Sequence, residues 1–303
     1  MRLKMKMYLL IWVQLVSIFS LMGENKGENT LFLDSVITRT VDSLERKDPG
    51  YVEIRQRSFQ AGETLTYKVM FGWFAVGKAK MKIQDKYYRI NHRDCYKVDI
   101  WGKTSGVVDW VATVDDHWGA YIDTSSVVTH LAFRNIKEGR YRLNEIVRFD
   151  HVTDMIEAKV IDKKTGNYKE PMYYQAPNNI RDMIGGFLYL RTVDFGSMNS
   201  GDTVQVSGFF ENQFYHLKIV YIGKEVINTK VGKFNTLKLV PVMPDNTLFD
   251  GENSIFVWIS DDENKIPVKV EAEMFIGHAG IEVIEVENLR NSPGLEQAIH
   301  LEQ

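Results

Sequence analysis

The feature that most constrains this chain is a two-residue rhythm of apolar and polar side chains. In Gly77-Lys78-Ala79-Lys80-Met81-Lys82-Ile83 every second residue is a lysine. Successive side chains on an extended strand point to opposite faces, so this segment has one oily and one charged face and reads as a half-buried β-strand. The same period runs through residues 65–71, 96–101, 141–149, 155–161, 203–209, 216–222, 236–240, 255–259 and 268–276. In the last of these, Val268, Val270, Ala272, Met274 and Ile276 oppose Lys269, Glu271 and Glu273, the pattern of an antiparallel strand with one face in solvent. The final strand, 281–287, changes parity between Val283 and Ile284, which predicts a β-bulge. Polar turn clusters such as 162–167 separate the strands, and Gly72-Trp73-Phe74-Ala75-Val76-Gly77 reads as a hairpin connection with glycine at both ends. The expected fold is mostly β, an antiparallel curved sheet or barrel.

Two segments switch to a helical period. Leu33, Val36, Ile37, Val41 and Leu44 recur at three- and four-residue steps and predict an amphipathic helix over 30–46, stopped by Pro49-Gly50. Ile180, Met183, Ile184, Phe187 and Leu188 predict a second near 179–192, capped by Asn178-Asn179, with Asp182 in its first turn and Arg191 in its last. Gly185-Gly186 weakens it by about 1 kcal/mol per glycine relative to alanine, so something must come close there, with sheet backbone the expected neighbour. Residues 121–133 resemble residues 258–270: each is a strand ending in aromatic-Ile, a polar turn and a second alternating strand. The expected organisation is a signal peptide at 1–23, an N-terminal segment with a helix at 24–57, a β domain at 58–290 made of two related units (58–175 and 200–290), and a tail at 291–303.

Arg2, Lys4 and Lys6 precede an apolar run from Tyr8 to Met22 and then Gly23, the order of a secretory signal. At about 1.5 Å per residue that run covers roughly 22–24 Å, short of the roughly 30 Å hydrocarbon core, so a cleaved signal is expected and no transmembrane span in the mature protein. The single cysteine, Cys95, excludes an intramolecular disulfide, and no cysteine follows the apolar core to accept a lipid. These readings place the protein outside the cytoplasm, in the periplasm or outer envelope, and not as a lipoprotein. A formal charge of -3 gives no positive field for a phosphate backbone, so nucleic acid is not an expected partner.

With these residues located, the chain resembles the bacterial domain of unknown function 3108 family. The resemblance rests on Gly62-Glu63-Thr64-Leu65-Thr66-Tyr67 with Gly77-Lys78-Ala79, on Asn179-Ile180-Arg181-Asp182 leading to Tyr189-Leu190-Arg191, on Val231-Gly232-Lys233-Phe234, and on the stretch from Val257 to Val268. It covers roughly residues 58–288. It implies an exported β protein of unassigned activity and supplies no catalytic residues. The hairpin from Trp258 to Val270 is similar, more loosely, to hairpins of Lol-type periplasmic lipoprotein carriers, whose curved sheet holds acyl chains.

No nucleophile elbow, zinc-protease helix or phosphate loop occurs, so no catalytic residue, metal ligand or cofactor is expected. Asp115-Asp116-His117 cannot converge on one strand and reads as a turn or strand end; Asp261-Asp262-Glu263-Asn264 and the acidic stretch 245–253 read as solvated turns, and Cys95 as a small core side chain. Trp73, Phe74, Trp101, Trp110, Trp118 and Tyr121 crowd the first half. Most fit core packing, but Trp73 and Phe74 fall at a hairpin tip and suggest a contact surface. The expected function is noncatalytic binding of an apolar or amphipathic ligand, such as a lipid or lipoprotein, in a β concavity lined by Tyr67, Val69, Phe71, Ala79 and Met81. The alternatives are a structural or interaction module whose Trp73–Phe74 edge meets an envelope protein or glycan, and a hydrolase with an unrecognised site. A continuous apolar cavity of several hundred Å³ would favour a carrier, and a solid interior a module.

Overall fold

The computed structural model describes residues 50–106, 113–162, 165–177, 179–242, 254–275 and 277–295. The apolar N-terminal run, the helix expected over 30–46, Trp110 and the acidic stretch 245–253 lie outside the described residues. The chain runs β1 (Thr64–Phe71), β2 (Phe74–Ile83), β3 (Tyr88–Ile90), β4 (Arg93–Thr104), β5 (Asp115–Asp123), β6 (Thr129–Glu138), β7 (Tyr141–Asp150), β8 (Met155–Val160) and β9 (Met172–Gln175). Helix α1 (Met183–Leu190) follows, then β10 (Thr203–Phe210), β11 (Gln213–Asn228), β12 (Lys233–Pro241), β13 (Ile255–Ser260), β14 (Pro267–Met274) and β15 (Gly277–Glu287).

These strands form one 15-stranded antiparallel sheet in the order β10-β11-β12-β13-β14-β15-β1-β2-β4-β5-β6-β7-β8-β9, with β3 hung on β4. The chain therefore starts in the middle of the sheet, works outward to the β9 edge, crosses by α1, and returns inward from the β10 edge until β15 pairs with β1. Of the two architectures the pattern allows, the curved open sheet is the one formed. No ladder joins β9 to β10 among the described residues; side chains bring these ends together instead. Phe209 of β10 packs against Phe149 and Tyr174, and Phe210 stacks on Trp118 with ring centroids 5.6 Å apart.

Alternation places the oily positions inside. Leu65, Tyr67, Met81, Ile83, Val98, Ile122, Phe149 and Val283 are buried in one continuous core. The parity break in β15 is resolved by a bulge: Thr66 faces Glu285 but Tyr67 faces Val283, so Ile284 is the extra residue and Val283 stays inside. The two hairpins matched in sequence share local geometry. A register shift follows the aromatic residue in each, between Tyr121 and Ile122 and between Trp258 and Ile259. A residue with positive φ (Val127, Lys265) precedes the last turn residue of each.

Three expectations are corrected. The β1–β2 connection is only Gly72-Trp73: the ladder continues to Phe71↔Phe74, Gly72 takes the left-handed turn at φ +55, and a bulge absorbs Val76, leaving Gly77 inside β2. Helix α1 is capped by Asp182, whose side chain accepts from Ile184 N and Gly185 N. Arg181 is held extended by its bridge to Gly208, so the helix cannot begin at Asn179. Finally, the glycine pair meets side chains, not sheet backbone. A Cβ on Gly185 would lie 2.4 Å from Thr129 Oγ1, and one on Gly186 3.2 Å from Val206 Cγ1, so α1 is wedged between β6 and β10.

Candidate functional site

The five residues expected to line a concavity are interior residues of the seam between β1 and β2. Tyr67 and Met81 are buried in the main core, with Ala79 packed against it. Val69 is buried in a second cluster with Val76, Val114, Ile255, Ala272 and Met274, against which Phe71 packs. The Tyr67 hydroxyl has no hydrogen-bond partner among the described residues, and burial pushes its phenol well above the ordinary tyrosine range. A cavity of about 20 Å³ lies elsewhere, between Trp118, Arg134, Glu145, Asp182, Phe209 and Glu211. That is room for about one water, not an acyl chain. None of the five lines it.

Trp73 and Phe74 lie where the sequence puts them, at the hairpin tip. Trp73 is 95% exposed and Phe74 72%. A third aromatic, Phe275, was not singled out by its sequence; it sits in the β14–β15 turn and is 64% exposed. The two turns are neighbours: β15 pairs with β1 through Phe71↔Ala279, Gly72 N donates to His278 O, and a Cβ on Gly277 would meet the Phe71 ring at 3.3 Å. The signal for Phe275 was present, because it occupies the next outward position after Lys269, Glu271 and Glu273, where another polar residue belongs.

The outer face behind this rim is basic on β1, β2 and β4, while Glu271, Glu273 and Glu282 occupy it on β14 and β15. Lys68, Lys78 and Lys103 lie directly across from one another on β1, β2 and β4. Lys68 has Glu282 at 3.5 Å, while the exposed Lys78, Lys80 and Lys103 have no ion-pair partner among the described residues. Asp115, opposite Lys103, is 3.8 Å from Lys137.

The polar constellations are structural. Asp115 points outward at the start of β5, and His117 reaches the Asp99 carboxylate at 2.8 Å while stacking on Trp101. Asp116 points inward, accepts from Lys137 N and lies against Glu138. Burial, then the charge of Asp116, pushes the Glu138 carboxyl up to about 8. Asp262 closes its turn by accepting from Ser260 Oγ, Asn264 N and Lys265 N. Burial drives the Cys95 thiol up to about 12, the state of an inert core residue. Burial would also raise Asp123, but bonds from His130, Arg93, Ser126 and Ser125 hold it far below the usual carboxylate range. Ser207 Oγ and His216 Nδ1 are 2.7 Å apart on exposed strand faces, with no carboxylate orienting the imidazole among the described residues.

Arg191, read as a last-turn cation, is instead the C-cap residue and is fully buried. Its guanidinium forms a two-pronged pair with the equally buried Glu63, at 2.5 and 2.9 Å, and donates to Asn264 O and Ser58 O. Glu63, Arg191 and Asn264 come from three separate stretches of sequence, so three of the segments that carry the family resemblance meet at one framework node.

Among the described residues no helix is long and apolar enough to cross a membrane, and no group of three histidine, cysteine or acidic side chains could hold a metal ion. No curated protein matches the chain. Among solved structures, a β-barrel-like protein of the domain of unknown function DUF1849 from Brucella abortus aligns over 77% of this chain and 98% of its own, with 6% identity and a TM-score of 0.49. A hypothetical protein from Chlamydia trachomatis aligns over 80% and 94%, at 9% identity and TM-score 0.36. A protein from Bacteroides fragilis NCTC 9343, described as exported with a YmcC-like fold, aligns over 78% and 100%, at 12% identity and TM-score 0.33. The model of the family described as "Protein of unknown function (DUF3108)" matches residues 66–284, and the chain belongs to that family.

Proposed function

We propose that the protein is a noncatalytic module of the bacterial cell envelope that works by contact through its aromatic rim, not by carrying a ligand inside its sheet. The observation that carries this reading is the 95% exposure of Trp73 beside Phe74 and Phe275. Covering these rings would remove their apolar surface from water, and an exposed aromatic patch of this kind marks a contact site. The interior argues in the same direction, since Tyr67, Val69 and Met81 are packed against other core side chains. The envelope location rests on the basic, apolar, small order of residues 2–23.

The test is a photo-crosslinking residue placed at position 73 in growing cells, with one at Tyr173 on the β9 edge as the control. Adducts, whether protein or lipid, are expected from position 73 and not from 173. Equal labelling at both positions, or none at 73, refutes the contact reading. Recovery of one tightly held lipid per purified protein would instead return the function to the interior.

A further inference from the structure

We propose that the surface contacted by this rim is an anionic lipid bilayer, with Trp73, Phe74 and Phe275 entering the interface and the lysine row behind them facing the headgroups. The inference rests on the contact reading above and names its partner. Three observations converge on it. The aromatics sit on two adjacent exposed turns; tryptophan is enriched at the membrane–water boundary, and tryptophan and phenylalanine are typical of the apolar side that enters it. Behind them, Lys68, Lys78 and Lys103 stand side by side on neighbouring strands about 4.8 Å apart. Like charges directly opposite one another destabilise a sheet; Lys78 stands between Lys68 and Lys103 with no ion-pair partner of its own among the described residues, and Asp115, across from Lys103, lies 3.8 Å from Lys137. An arrangement that works against the free protein is relieved when a negative surface covers it.

The spacing suits a bilayer. Phe74 and Lys78 pair with Phe71 and Lys68, three ladder steps apart because the bulge absorbs Val76, about 10 Å along the strand. A tip sunk roughly 5–10 Å into the boundary would bring the flexible lysine stems within reach of headgroup phosphates. The composition also separates a membrane from a protein partner, because lysine is depleted from protein–protein interfaces while basic residues strengthen attachment to anionic leaflets. The uneven distribution is local, since the whole chain carries a formal charge of -3.

The experiment is co-sedimentation of the purified protein with vesicles of pure phosphatidylglycerol and of pure phosphatidylcholine. Binding to phosphatidylglycerol only, weakening as salt is added, is expected. Each lysine near an anionic leaflet strengthens binding about fivefold, so Lys78→Ala with Lys103→Ala should weaken it roughly 30-fold. Trp73→Ser with Phe74→Ser should weaken it at least about 10-fold. Tyr173→Ser should leave it unchanged, and circular dichroism should show all variants folded. Failure of the wild-type protein to sediment with phosphatidylglycerol, or retention of binding by the Trp73→Ser/Phe74→Ser variant, overturns the proposal. If protein adducts still form from position 73 in cells, the contact reading survives and only the bilayer is lost; if they do not, both fall.

Discussion

Replacing Arg191 by methionine tests whether the buried Glu63–Arg191 node holds the two halves of the sheet to the helix. The substitution keeps an apolar stem of similar length but leaves the Glu63 carboxylate, fully buried, with no counter-charge. Removing one partner of such a pair typically costs about 3–5 kcal/mol. Two buried carbonyls, of Asn264 and Ser58, also lose their guanidinium donors, so roughly 5 kcal/mol is expected in total. That is a large share of the roughly 5–15 kcal/mol stability of a folded domain. Glu63→Leu combined with Arg191→Met removes both charges and should recover about 3 kcal/mol of the loss, a coupling that separates uncompensated charge from simple loss of packing. Urea unfolding followed by tryptophan fluorescence gives these numbers, provided the m-value stays constant. A cost below about 1 kcal/mol for Arg191→Met, or no coupling in the double variant, would refute the assignment of the node as the structural joint.

Two further predictions concern the interior. The Glu138 carboxyl, raised to about 8 by burial and by Asp116, keeps its proton in the folded state where the unfolded chain, near 4.5, has released it. Its contribution to stability is therefore complete below about pH 4.5 and lost as pH rises through about 8, by at most about 5 kcal/mol; Glu138→Gln should flatten the wild-type decline of the urea midpoint in that window, and an unchanged slope in the variant argues against the assignment. Gly185→Ala brings a Cβ to 2.4 Å from Thr129 Oγ1, which cannot retreat without giving up its 2.6 Å bond to the helix-capping Asp182. A loss of roughly 2–3 kcal/mol is expected despite alanine's better helix propensity, with partial recovery in Thr129→Ala; a more stable Gly185→Ala protein would show that α1 is not wedged.

Most of the sheet was legible because a period of two is a local property that survives tertiary context. Lys78, Lys80 and Lys82 could only alternate with a buried face, and the parity break at Ile284 marked its own bulge. What was not legible depends on contacts distant in sequence. The start of α1 looked like Asn178-Asn179 because asparagine caps well, but pairing of Arg181 with Gly208 keeps the chain extended until Asp182. Arg191 read as a dipole partner because nothing near it in sequence reveals Glu63, 128 residues away. The candidate rim was visible in parts: Trp73 and Phe74 follow from a turn signal and Phe275 from its outward place in the alternation, whereas their adjacency required knowing that the β14–β15 turn adjoins the β1–β2 tip. Whether alternating apolar residues enclose a void or fill it is a matter of side-chain volumes brought together from many strands, and a one-dimensional pattern does not encode it.

Pairing of the first strand with the last carries a consequence for how this protein comes into being. Thr64 finds Glu287 and Phe71 finds Ala279, so the central seam cannot be zipped until nearly the whole chain is present. Each earlier strand added to β1 and β2 builds a sheet with one unclosed side, and contacts this remote in sequence make assembly slow. The seam is therefore the last part of the sheet to lock, an order of closure written into its topology.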